Sequence, residues 1–115
     1  MDIQVSKNGN VDVVHLKGDV DLYSSPQIRN EFSKFLAKPT PLIIVNFSLV
    51  DYIDSSGLAT LIELLQKLKK TGGHLFLACV GDTVRSVFQL AKLDGIFRIY
   101  DNENSALEAA GKLKS

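Results

Sequence analysis

The chain has 115 residues, 45% of them hydrophobic and 23% charged, which is the composition of one ordinary globular domain with a core of its own. Its thirteen basic and thirteen acidic residues cancel, which argues against nucleic-acid or membrane-surface binding, since both need a clustered basic field. The single Cys79 excludes an internal disulfide, no secretion signal is visible and no apolar run approaches about 18 residues, so a cytoplasmic protein is expected.

At the amino terminus, Ile3 and Val5 alternate with polar neighbours, and Lys7-Asn8-Gly9-Asn10 supplies an Asn-Gly turn signal before Val11, Val13, Val14 and Leu16. This predicts a β-hairpin, because that dipeptide tolerates the positive φ angles of tight turns. Gly18-Asp19-Val20-Asp21 ends the second strand. Two acids there are either a cation site or, more simply, a solvated turn. Ser24-Ser25-Pro26 predicts a helix start, with a serine cap and proline in the first turn. Ile28, Phe32, Phe35 and Leu36 form its apolar stripe, and Lys38-Pro39-Thr40-Pro41 ends it.

Leu42-Ile43-Ile44-Val45 is too short for a helix and mostly β-branched, which predicts a strand buried on both faces and running to about Phe47. After Asp51-Tyr52-Ile53-Asp54-Ser55-Ser56-Gly57, residues Leu58, Leu61, Ile62, Leu65 and Leu68 mark one face of an amphipathic helix, with Glu63, Gln66, Lys67, Lys69 and Lys70 on the other. Thr71-Gly72-Gly73 closes it, and His74 to Val80 reads as a fourth strand with Cys79 a buried, structural thiol. Gly81-Asp82-Thr83 opens a third helix on the stripe Val84, Val87, Phe88 and Ala91, closing at Asp94-Gly95. Phe97 to Tyr100 reads as a short strand, and a last helix turns Leu107, Ala110 and Leu113 inward. The order β-β-α-β-α-β-α-β-α implies a central mixed sheet with a parallel core and about four packed helices, an α/β fold. Functional sites on such sheets gather beyond the carboxyl ends of the strands, where Asp21 and the Asp54-Ser55-Ser56-Gly57 loop both fall.

Two serines therefore stand where a loop leaving a buried strand becomes a helix, beside unpartnered N–H groups and a positive dipole end. One serine is expected to cap the helix, leaving the other to face water. Gly57 is unfavourable inside a helix unless another backbone, such as a partner's loop, approaches it closely. A phosphate on the free hydroxyl would add about −1.5 to −2 charges to a neutral protein and would lie near Asp54, with Asp51 and Asp21 candidates for the same neighbourhood.

With Gly18-Asp19-Val20-Asp21 after the second strand, Asp54-Ser55-Ser56-Gly57-Leu58 opening the second helix, Gly72-Gly73 before the fourth strand and Leu93-Asp94-Gly95-Ile96-Phe97 after the third helix, the chain resembles the STAS domain. More narrowly, it resembles the bacterial anti-sigma factor antagonists. The resemblance implies one STAS-like domain over residues 1–115 and a partner-switching cycle without an enzymatic activity or cofactor of its own. It makes Ser55 the phosphoacceptor, with Asp21, Asp54, Ser56, Gly57 and Leu58 flanking it or meeting the partner. The implied partners are an anti-sigma factor that is also an ATP-dependent serine kinase, and a metal-dependent serine phosphatase. Thr83 and Arg85 fall beside the expected docking face, although Arg85 alone reads as a solvated charge. The alternative within the family is a binding subunit of another assembly, such as a stress-signalling complex or a lipid transporter. A serine hydrolase fits poorly, because Gly-x-Ser-x-Gly is absent and His15 and His74 fall away from strand carboxyl ends. A phosphoaspartate receiver lacks the lysine expected after the last core strand, where Tyr100-Asp101 stands instead.

Overall fold

The computed structural model describes residues 1–39 and 41–113. Thr40, part of the predicted end of the first helix, lies outside the described residues, as do positions 114 and 115 of the expected domain span. The elements follow the predicted order: β1 (Asp2–Asn8), β2 (Val11–Lys17), α1 (Ser25–Leu36), β3 (Leu42–Leu49), α2 (Ser55–Lys70), β4 (His74–Ala78), α3 (Asp82–Leu90), β5 (Arg98–Tyr100) and α4 (Glu103–Lys112). The strands lie side by side in chain order, β1 antiparallel to β2 and the rest parallel. The hairpin turns at Gly9-Asn10, where Gly9 takes φ 63°.

Alternation along the strands divides the core. Val14, Leu16, Ile43, Val45, Phe47, Leu75 and Leu77 face α1, α2 and α3, whereas Val11, Val13, Leu42, Ile44, Phe76 and Ala78 face α4. The fully buried α4 residues, Ala106 and Ala110, are small, so its backbone can lie close to the sheet. At the other end of the sheet Lys38 Nζ meets the buried Asp12 carboxylate at 2.6 Å. That carboxylate raises the Lys38 amine above its ordinary value.

Several predicted details change. Ser24 occupies the cap position of α1 but makes no capping bond through its side chain. The Asp21 carboxylate instead closes the turn ahead of α1, with Oδ1 accepting from the Tyr23 and Ser24 N–H groups at 3.0 Å each. β4 stops at Ala78, and Cys79 is half-buried in the left-handed region at φ 60°, so the predicted burial of its thiol is incomplete. α3 ends at Leu90, with Lys92 left-handed at φ 59° and the Leu93 N–H donating to Phe88 O at 2.8 Å. That closure precedes Asp94-Gly95 and leaves Ala91 exposed. In α4 the expected Leu107 and Ala110 do turn inward, Leu107 half-buried and joined by Ala106, but Leu113 is exposed because the helix has already ended. In α2, Leu64 joins the buried face while Ile62 is half-buried.

Candidate functional site

The site is a junction of two loops, residues 18–24 after β2 and 50–54 after β3. Regular β2–β3 pairing becomes irregular between His15 and Lys17, then an isolated parallel bridge joins Val20 to Ile53. Backbone bonds lace the loops: Gly18 N–H to Leu49 O at 3.1 Å, Val20 N–H to Tyr52 O at 2.9 Å, and Asp54 N–H to Val20 O at 3.1 Å. Val20 and Ile53 are buried in the larger core half, so the loop roots are fixed by packing as well.

The first turn of α2 rests directly on this lacing. A Cβ at Gly57 would collide with the Val20 carbonyl oxygen and come within 2.7 Å of Val20 Cγ1 and 2.8 Å of Ile53 Cγ1. The close backbone foreseen at Gly57 is therefore this chain's own Val20, and not a partner's loop. Leu58 is buried in the same core, so Gly57 and Leu58 seat the helix and offer little surface to a partner.

Asp54, rather than a serine, is the N-cap of α2. Its φ of −110° and ψ of −174° are extended, and Oδ1 accepts from the Gly57 N–H at 2.9 Å while its carbonyl takes the first helical bond from Leu58. Its Oδ2 accepts from the Leu22 N–H at 3.3 Å, so one carboxylate caps the helix and ties the neighbouring loop to it. Ser55 then becomes the first helical residue. It is exposed, and among the described residues its hydroxyl has no hydrogen-bond partner. Ser56 is half-buried, and its carbonyl accepts from Thr60 Oγ1 at 2.9 Å and from Ser25 Oγ at 3.4 Å. The Ser55 and Ser56 N–H groups are the donors left at the helix start.

Asp21, Asp54, Ser55 and Ser56 are thus brought together by the laced loops, with Asp21 and Asp54 half-buried. Asp51 is exposed on the same β3–α2 loop. Thr83 and Asp82 lie at the start of α3 and line a shallow cleft of about 230 Å³ with Ser48, Asp51 and Cys79. Arg85 is half-buried in α3. Among the described residues no group of three or more His, Cys, Asp or Glu side chains could hold a metal ion. His15 bonds Glu103 on the α4 side at 2.8 Å and His74 opens β4, so neither engages Ser55. On the outer flank, Arg29 Nε meets Glu63 Oε2 at 2.8 Å, tying α1 to α2. The guanidinium holds the Glu63 carboxyl below its ordinary value, and solvent screening keeps the pair's contribution small.

Clefts of about 610 and 390 Å³ lie at the other end of the sheet, lined by Lys7, Lys38 and His74 and by Lys69, His74 and Arg98. None of Asp21, Asp54, Ser55 and Ser56 lines them. Ser55 is presented on an open surface, which suits a macromolecular partner better than an enclosed small molecule. Sequence reasoning located the junction and passed over its large exposed apolar residues, Leu22, Tyr23, Leu49 and Tyr52. Their signal was available: bulky apolar side chains at and between strand and helix ends, belonging to no buried stripe.

Residues 2–106 match the family described as the STAS domain. The chain is 25% identical over 108 residues to the anti-sigma F factor antagonist of Paenibacillus polymyxa, covering 93% of this chain and 92% of that protein. Its fold is similar to the crystal structure of an anti-sigma factor antagonist from Mycobacterium paratuberculosis, with TM-score 0.81, 28% identity and coverage of 94% and 92% of the two chains. It is also similar to the Bacillus cell fate determinant SpoIIAA in its phosphorylated form, with TM-score 0.71, 26% identity and coverage of 95% and 99%.

Proposed function

This chain belongs to the STAS domain family, and from that premise we propose that it is an anti-sigma factor antagonist switched by phosphorylation of Ser55. In the unphosphorylated state it binds an anti-sigma factor and so frees a sigma factor. The anti-sigma factor is also a serine kinase: the Ser55 hydroxyl attacks the γ-phosphorus of ATP, its proton passes to a base on the kinase, and ADP leaves. A serine phosphatase hydrolyses the ester and returns the protein to its binding state. This chain acts by being bound and modified, and catalysis belongs to its partners. The names of its relatives and the phosphorylated form of a structurally similar protein support this reading.

The observation that carries it is the division of labour at the start of α2. Asp54 takes the cap, so the Ser55 hydroxyl stands exposed, without an intramolecular partner among the described residues. A phosphate there meets the free N–H groups of Ser55 and Ser56, which is favourable, and the Asp54 and Asp21 carboxylates, which is not. The two effects oppose each other, so the modification changes the surface and leaves the fold in place. At a docking interface the same dianion must shed water beside carboxylates, and a loss of about 1.4 kcal/mol already weakens binding tenfold. Asp21 and Ser56 flank the acceptor, while Gly57 and Leu58 hold its helix on the core.

The test is to incubate the protein with ATP and the anti-sigma factor kinase encoded in its own genome, then to locate the modified residue by mass spectrometry. Modification at Ser55, lost in Ser55→Ala while binding persists, is the expected result. Modification elsewhere, or no binding by the unmodified protein, contradicts the proposal.

A further inference from the structure

Tyr23 is 89% exposed, Leu22 62%, Leu49 56% and Tyr52 48%, on a molecule whose other apolar side chains mostly fill a divided core. All four belong to the two laced segments. The Leu22 N–H donates to the Asp54 carboxylate, the Tyr52 carbonyl accepts from the Val20 N–H, and the Leu49 carbonyl accepts from the Gly18 N–H. They form a collar beside the α2 start that carries Ser55. The near-complete exposure of Tyr23 means that the fold gains almost nothing from its ring. Among the described residues neither tyrosine hydroxyl is hydrogen-bonded.

The same loops carry Asp19, Asp21, Asp51 and Asp54, with Asp82 at the start of α3. Lys17 and Arg85, with the Met1 amino terminus that lies beside Gly18, are the nearby cations. The opposite end of the sheet is the reverse in sign, with Lys7, Lys69 and Arg98 around its clefts. A neutral protein is thus polarised, and its negative pole coincides with its exposed aromatic residues.

We propose that this collar anchors the partner: the docking face of the anti-sigma factor is an apolar socket for Tyr23 and Tyr52, rimmed by lysine or arginine side chains. This rests on the functional reading above and adds the chemistry of the partner. Aromatic residues supply contact area at low conformational cost and dominate the energetics of interfaces. The aspartate ring steers a basic face into register, an effect on the association rate that salt screens. A kinase facing Ser55 also brings nucleotide phosphates to the centre of the collar. A phosphate on Ser55 therefore meets like charge there even though the rim is basic.

Association and dissociation of the unphosphorylated chain with the anti-sigma factor, measured by surface plasmon resonance at low and high salt, test the assignment. Tyr23→Ala and Tyr52→Ala are each expected to weaken binding about tenfold or more, mainly through faster dissociation. Leu49→Ala is a second probe, with less area to lose. Asp19→Asn combined with Asp51→Asn, neither carboxylate having a partner among the described residues, is expected to slow association at low salt and to match wild type at high salt. Ser55→Glu is run alongside, with far-UV circular dichroism confirming that every variant is folded. Wild-type affinity in both tyrosine variants, with Ser55→Glu weakened, overturns the collar and leaves the switch standing. No binding by wild type overturns both. Self-association of wild type that Tyr23→Ala abolishes would give the collar to a second copy of the chain and overturn the assignment.

Discussion

Two serine pairs lead into helices on the same side of this sheet, and they have opposite fates. At the start of α1, Ser24 and Ser25 are both buried. Ser24 Oγ donates to Asp19 O at 2.8 Å and Ser25 Oγ to Asp21 O at 2.6 Å. At the start of α2, Ser55 is exposed with its hydroxyl uncommitted and Ser56 is half-buried. The residue types are the same; the position of the aspartate differs. Asp21 stands three residues ahead of Ser24 and folds its own turn, so the serines are drawn inward to satisfy carbonyls. Asp54 stands immediately before Ser55 and takes the cap itself, so the serine has no structural duty. A hydroxyl is available for chemistry when a neighbour has already met the needs of the backbone.

The largest expected effect breaks the seat beneath the free serine. Gly57→Ala drives a methyl group into the Val20 carbonyl and should cost about 3 kcal/mol as overpacking. Urea denaturation followed by far-UV circular dichroism reads it directly. Next, Asp54→Ala removes both the cap and the bond to Leu22 and should cost about 1–2 kcal/mol. It should also lower the rate of Ser55 phosphorylation, because the serine then inherits the cap. Asp54→Asn keeps a capping oxygen and should recover most of that stability. Ser25→Ala, in the buried pair, should cost about 1 kcal/mol for a lost internal hydrogen bond. Ser55→Ala, in the exposed pair, should change stability by less than about 0.5 kcal/mol. Equal losses at Ser25 and Ser55 would erase the contrast between the two pairs.

Much of this was legible in the residues. The β-branched run Leu42–Val45 and the leucine stripe from Leu58 to Leu68 each match a single period, so the elements on either side of the junction could be placed. The choice of cap was not legible, because aspartate and serine are equally good N-caps. What selects Asp54 is the extended backbone held by the Val20–Ile53 bridge, a contact between distant parts of the chain. The purpose of Gly57 was half legible: close approach was foreseen, but the approaching strand end lies 37 residues upstream in the sequence. Helix ends fared worse. Ala91 and Leu113 continue a helical period past the point where the backbone leaves the helix, and Lys92 takes up a left-handed turn usually left to glycine. Asp21 stands in a turn, as its sequence reads, and only its carboxylate's bonds to the Tyr23 and Ser24 N–H groups were hidden.

The central claim is that esterifying Ser55 changes who binds while the scaffold stays folded. Titration calorimetry with the anti-sigma factor, comparing the unmodified protein with a preparation phosphorylated only at Ser55, tests it most directly. The expected result is binding at least about tenfold weaker after phosphorylation, with an unchanged far-UV spectrum. Equal affinities for the two forms would contradict the account.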